Sequence, residues 1–198
     1  MKNSNHTKSH KIESYDFHRL SDVELFGFLK EKKNIAEPAF GELYARHSPR
    51  IYAYCRCVFG DSEQSKDIFQ ETFMRFYESA QKERVMTNVP AFLLIIARNL
   101  CLNLKRQTKE MMNVDDYQIP QLEPPPEQAE MLQLITMAME LLPDDYRETF
   151  FLRDFEDMSY TEISKVLQIP EVTVRVRVSR ARQKIREILQ PYLVELAQ

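Results

Sequence analysis

Glycine is scarce in this chain and tryptophan is absent, with three of the former and none of the latter in 198 residues. A loop that cradles phosphate needs several glycines in a tight turn, so nucleotide-binding loops of that kind are excluded. The chain also lacks a G-x-S-x-G or an H-E-x-x-H. Cysteine is limited to Cys55, Cys57 and Cys101, an odd number without a secretion signal, which fits reduced thiols. Cys55 and Cys57 form a C-x-C downstream of His47, but this spacing matches no usual four-ligand zinc pattern. They read as small, buried or half-buried hydrophobes. His6, His10 and His18 lie in or near a polar N-terminal tail. No nucleophile, metal or phosphate constellation is visible, so the sequence argues against an enzyme and implies no cofactor.

Long apolar runs are missing as well. The best candidate, "AFLLIIA" (Ala91 to Ala97), has the size of a core segment, far short of the roughly 18 residues that cross a membrane. The first residues, "MKNSNHTKSHKIES", lack the apolar core of a signal peptide. Residues 1–15 therefore read as a disordered tail, and the expectation is a cytoplasmic protein with no membrane insertion. The formal charge is −3, so any nucleic-acid surface has to be a local patch.

What the chain does have is helical periodicity. "SDVELFGFLKE" opens on Ser21 with Glu24 three residues later, a capping box. "EPAFGELYARHSPRIYAYCRCVFG" spaces Phe40, Leu43, Tyr44, Ile51, Tyr54, Cys55 and Val58 for one helix face and stops at Gly60. After a cap at Asp61 or Ser62, Ile68, Phe69, Thr72, Phe73, Phe76 and Tyr77 form a broad stripe, opposite Glu63, Asp67, Gln70 and Glu71. "NVPAFLLIIARNLCLNLKRQTK" predicts a helix from about Pro90, a first-turn residue. It carries no acid between Arg98 and Lys109. Acidic residues and prolines, including Pro124 to Pro126, then mark a flexible or semi-rigid linker. The expected architecture is all-α. Two small helical domains, 16–108 and 127–198, are joined by a linker at 109–126.

One segment sends two signals. "EVTVRVRVSRARQKIR" (Glu171 to Arg186) alternates Val172, Val174, Val176 and Val178 with polar residues, as a half-buried strand does. It also carries six Lys or Arg in sixteen residues. The alternation dissolves after Val178, whereas Val174, Val178, Ala181, Ile185 and Ile188 sustain a helical stripe. Valine costs only tenths of a kcal/mol per helical residue, and no partner strand is in sight. Helix wins. Upstream, "SYTEISKVLQIP" gives a short helix from Ser159 or Tyr160 and a tight turn at Gln168 to Pro170. This is helix–turn–helix anatomy, whose second helix enters the major groove. Ser159 and Thr161 stand at the start of the first helix, where hydroxyls and backbone N–H groups hold phosphate.

"LPDDYRETFFLRDFEDMSYTEISKVLQIPEVTVRVRVSRARQKIRE" resembles region 4 of the extracytoplasmic-function sigma factors, in the sigma-70 family of RNA polymerase sigma factors. The resemblance rests on Leu142-Pro143, Glu148 to Leu152, Ser159 to Ile163, Ile169-Pro170, Thr173 to Arg175 and Arg180 to Arg182. Independently, Phe40 to Cys55, Asp67 to Tyr77 and Ile96 to Arg106 resemble region 2 in the right order. It covers about Phe17 to Leu193. The resemblance implies a promoter-specificity subunit that directs transcription initiation. Region 2 would dock on the clamp helices of the polymerase core and read the minus-10 element. Region 4 would bind the flap and read minus-35. An anti-sigma factor clamped between the two regions is a further implied partner.

Carried onto this chain, the implied core-binding residues are Asp67, Gln70 and Glu71 beside an aromatic anchor, Phe73. The implied minus-10 contacts are Asn88, Arg98, Asn99, Lys105 and Arg106, with the base-capturing loop at about Ser79 to Val89. For minus-35, Arg175, Val176, Ser179 and Arg180 face the groove. Arg175 or Arg180 reads a guanine, and Val176 suits an apolar contact such as a thymine methyl. Arg153, Tyr160, Thr161, Thr173, Arg177 and Arg182 face phosphates. The chain departs from the family pattern at several positions. Phe92 replaces a usual tryptophan, Ile95 a polar or basic residue and Asn103 an aspartate. Asp157, Gln168 and Val172 replace residues that are often glycine, and Val176 replaces a small polar residue. A plain helix–turn–helix regulator, which would leave the first half unused, and a sigma mimic that occupies the clamp without initiating are the competing readings.

Overall fold

The computed structural model of the chain describes residues 16–60, 62–82, 86–111 and 131–196, and among these there is no strand. A single 3-10 turn, Phe17–Arg19, leads into α1 (Asp22–Phe28) and the long α2 (Lys33–Phe59). Then come α3 (Glu63–Lys82) and α4 (Val89–Met111). The second half consists of α5 (Met131–Glu140), α6 (Asp144–Phe150), α7 (Tyr160–Leu167) and α8 (Glu171–Leu196). The Asp61 cap, part of the 79–89 loop and nearly all of the proline-rich linker lie outside the described residues.

Several helix starts are capped by short polar side chains. Ser21 and Glu24 form the reciprocal capping box, as do Ser159 and Glu162 at α7. The Ser62 hydroxyl accepts from the Ser65 N–H at 3.3 Å at the head of α3. α2 runs straight through Pro49, which lacks the N–H for one intrahelical bond. Burial of Leu43, His47, Ile51, Tyr54 and Cys55 along its length outweighs that loss. His47 contacts Asp22 at 2.7 Å, and burial holds its imidazole below the ordinary histidine value.

α1 to α4 pack around Leu25, Leu43, Tyr54, Phe76, Leu93 and Leu94, all fully buried. The stripe on α3 is narrower than its sequence suggests: Ile68, Thr72, Phe73 and Phe76 are buried, whereas Phe69 is half-buried and Tyr77 exposed. α8 buries Val174, Val178, Ala181 and Ile185 as expected, with Leu189 rather than Ile188 ending the stripe. A π-helical stretch, Phe151–Phe155, extends α6. Phe151 there packs its ring against Tyr54 of α2, with centroids 6.2 Å apart. Buried residues of both halves thus form one contiguous cluster, and α6 lies on α2 while α7 lies on α4.

The turn residues explain two departures from the family pattern. Asp157 (φ 48°) and Gln168 (φ 55°) both adopt the left-handed backbone that favours glycine. Gln168 ends α7 there, its N–H donating to the Ser164 carbonyl, so the turn survives without the glycine. Val172, by contrast, is ordinary helix within α8. Replacing Gln168 by glycine is expected to raise stability by about 1 kcal/mol, read as a higher urea midpoint. An unchanged or lower midpoint would contradict the strain assigned to this turn.

Candidate nucleic-acid interface

α8 carries its basic residues on the side away from the buried stripe, and most of them are held in place by partners. The Arg175 guanidinium lies 4.5 Å from the Tyr160 ring centre, while Arg153 lies 5.2 Å from the same ring. Arg175 also pairs with Glu171 at 2.6 Å, and Glu171 accepts from the Thr161 hydroxyl at 2.8 Å. These bonds hold the Glu171 carboxyl below its ordinary value. Arg182 makes a two-pronged contact with Asp154, the shorter bond 2.6 Å, and Arg177 reaches Asp145 of α6 at 2.6 Å. Ser179, Arg180, Lys184 and Arg186 are exposed. Beside the helix runs an open groove of about 540 Å³ whose wall includes Tyr160, Arg175, Ser179, Arg182 and Arg186.

A second group of cations sits where α4 meets α6. Glu148 of α6 accepts from the Tyr54 hydroxyl at 2.5 Å and pairs with Arg98 at 3.2 Å. Lys105 reaches Asp144 at 2.5 Å and lies over the Phe59 ring. Burial in this junction, with the Glu148 carboxylate adding to it, pushes the Tyr54 phenol well above its ordinary value. Burial likewise pushes the nearby Cys57 thiol up to about 12. Arg50 of α2 pairs with Glu156 at the far edge of the same junction.

On the opposite side of the first half, α3 exposes Asp67 and Gln70, and Glu71 pairs with Arg75 at 2.7 Å. Next to them lies an apolar groove of about 610 Å³ lined by Phe40, Tyr44, Phe69, Phe73, Met74 and Tyr77.

Residues 43–110 match the family described as Sigma-70 region 2, and residues 132–185 match Sigma-70, region 4. RNA polymerase sigma-H factor of Pseudomonas aeruginosa is 30% identical over 79% of this chain and 89% of its own length. The chain belongs to the sigma-70 family. Several of its relatives are named as ECF RNA polymerase sigma factors. ECF RNA polymerase sigma factor SigE of Mycolicibacterium smegmatis is 32% identical over 82% of this chain and 66% of that protein. The fold agrees with a solved sigma factor, RpoE of Bartonella quintana in complex with the anti-sigma factor NepR. That likeness has a TM-score of 0.62 at 22% identity, over 80% of this chain and 98% of that one. This sigma factor acts in transcription initiation.

Several residues named from the sequence have other duties in the fold of this sigma factor. Phe73 is no exposed anchor: it is 4% exposed, locked among Phe40, Tyr44 and Phe69. Met74 at 59%, with Tyr44 and Tyr77, offers the accessible apolar surface instead. Asn88 caps α4, its side-chain oxygen accepting from the Ala91 N–H at 2.9 Å. Arg98 is only 16% exposed and, like Lys105, is engaged by the second half. Asn99 and Arg106 are exposed on α4. Arg153 is half-buried and donates to the Met158 carbonyl at 2.7 Å, so it supports Tyr160 from behind. Arg177 turns toward α6 rather than outward. Arg175, Val176, Ser179 and Arg180 share the outer face of α8, and Thr173 is half-buried beside them.

The carboxylates that organise these cations (Glu148, Asp144, Asp145, Asp154 and Glu171) were not legible as partners, since most pair across long stretches of chain. The acidic pair after Pro143 was the available signal. Glu148→Ala is expected to cost about 2 kcal/mol in urea unfolding, because Tyr54 and Arg98 lose a shared, largely buried partner. Glu148→Gln, whose amide still accepts from Tyr54, should lose less. Equal stability of Glu148→Ala and the parent would contradict the role given to this contact.

Proposed function

We propose that the two halves divide the work of promoter recognition, residues 127–198 reading the minus-35 element and residues 16–108 the minus-10. The observation that carries the reading is the outer face of α8, where Arg175, Val176, Ser179 and Arg180 project together from a helix anchored on its other side. A helix of that build is suited to the major groove. Exposed Asn99 and Arg106, with Arg98 and Lys105 once released, supply the contacts to the opened minus-10 strand. Asp67, Gln70 and Glu71 beside the Met74–Tyr77 groove fit a partner helix that is basic with apolar ridges, the chemistry expected of the polymerase clamp. The second half engages the flap. The protein works as a polymerase subunit in the cytoplasm and performs no catalysis of its own.

The closed packing gives this reading a consequence. Arg98 and Lys105 hold Glu148 and Asp144 of α6 across the junction, so both cations are freed for DNA phosphates when the halves separate on the polymerase, whereas Arg177 exchanges Asp145 for a phosphate within the second half. A partner that stabilises the closed arrangement would silence the protein. The solved relative bound to NepR supports an anti-sigma factor as that partner.

Run-off transcription with bacterial core polymerase on genomic promoter fragments tests the function. The expected result is new start sites preceded by two shared, spaced elements. Arg175→Ala with Arg180→Ala should lose guanine selection at minus-35, each lost base contact weakening binding by roughly 1–3 kcal/mol. Equal promoter selectivity in that double variant would sink the assignment. With Arg182 and a released Arg177 neutralising phosphates, log affinity for duplex DNA should fall with log salt at a slope of about −2. No new starts, with duplex binding retained, would favour the plain helix–turn–helix regulator.

A further inference from the structure

The centre of the outer face of α8 is apolar. At about 100° per residue, Val172 and Val176 lie directly opposite the buried stripe of Val174, Val178, Ala181 and Ile185. They are 72% and 42% exposed, and neither belongs to the hydrophobic core. The charges stand to either side. Arg175 is drawn over Tyr160 and tied to Glu171, while exposed Arg180 lies on the other flank. A DNA-facing helix thus leads with two β-branched side chains, and its cations form the rim.

Exposed valines contribute nothing favourable until they leave water against another apolar group. Base edges in the major groove offer one such group in ordinary DNA, the 5-methyl of thymine. The two valines are four residues apart, about 6 Å along the axis, comparable to two base steps of about 3.4 Å. Both side chains can therefore meet methyls within one short stretch. Resting on the reading of α8 as the minus-35 helix, we propose that Val172 and Val176 are specificity-determining residues that recognise two thymine methyls within about two base steps of each other. The rim arginines and the Ser179 hydroxyl then fix register through hydrogen bonds, and the valines set which bases lie beneath them. A polar residue at these positions would instead ask for a hydrogen-bonding edge.

The test uses the full-length protein with bacterial core polymerase, on a promoter found in the run-off assay. Its minus-35 window is randomised and prepared in three arms: with thymine, with uracil in place of thymine, and with 5-methylcytosine in place of cytosine. In the thymine arm, selection should enrich thymine at two nearby positions. Replacing each of those thymines by uracil, which removes only the methyl, should weaken binding about fourfold. Val172→Ala with Val176→Ala should bind thymine and uracil duplexes alike. Both sites are exposed and alanine favours helix, so that variant is expected to fold, which circular dichroism verifies. Equal affinity of the parent for thymine and uracil duplexes would overturn the proposal, as would discrimination that persists in the double variant. Enrichment that appears only in the methylcytosine arm would also overturn it, making methylated cytosine the ligand. Loss of all sequence selection in every arm would overturn the reading of α8 as a base reader, and this proposal with it.

Discussion

The carboxylate of Glu148 sits at the meeting point of both halves, and the closed arrangement depends on it. A carboxylate taken out of water is costly unless paired and hydrogen-bonded, and here the Tyr54 hydroxyl and the Arg98 guanidinium supply both. Each of these comes from the other half of the chain. Around that contact the Lys105–Asp144 and Arg50–Glu156 pairs close the rim, and Phe151 against Tyr54 provides the apolar floor. Such a junction is specific without being strong. The attraction in a buried pair largely offsets the cost of dehydrating it, so a competing partner with more contacts can take it apart.

The same carboxylates tie structure to function. The start of α6 presents Asp144 to a cation of α4 and Asp145 to a cation of α8. One short acidic turn therefore holds side chains that the promoter-reading role assigns to DNA. Exchange of these carboxylates for phosphates keeps the charges matched, so the affinity for promoter DNA reflects the difference between two similar interactions. The outer face of α8, which the proposed reading sets toward the major groove, is arranged differently. Tyr160 stacked under Arg175, with Glu171 on its other side, restricts the arginine without hiding it. Less side-chain freedom is then lost on binding.

Local structure was readily legible in the sequence. The Ser21–Glu24 capping box, the stop at Gly60 and the choice of helix over strand for Glu171 to Arg186 follow from spacing of a few residues, and they hold in the fold. Gln168 stands in an expected tight turn, but neither it nor Asp157 is glycine, so composition alone did not mark the left-handed backbone that both adopt. Pairing at a distance was not legible either. Tyr54 and Glu148 are 94 positions apart, and no periodicity in either helix specifies the other. Phe73 illustrates a subtler limit: the helical stripe sets it with Ile68 and Phe76, which are buried, and only the family resemblance made it an accessible anchor beside Gln70. Asn88 likewise combines the features of a base reader and of a helix cap, and the 2.9 Å bond to Ala91 shows that it caps α4.

The distance between the halves tests the closed-to-open reading most directly. Thiol-reactive spin labels suit the purpose, because Cys55 and Cys101 are buried and the Cys57 thiol is pushed up to about 12. Labels on Asn34→Cys in α2 and Lys184→Cys in α8, both at exposed positions, report the separation by pulsed electron resonance. The free protein should give one short, narrow distance distribution, and adding core polymerase should replace it with a longer one. A distribution already broad in the free protein, or one that core polymerase leaves unchanged, would contradict a closed state held through Glu148.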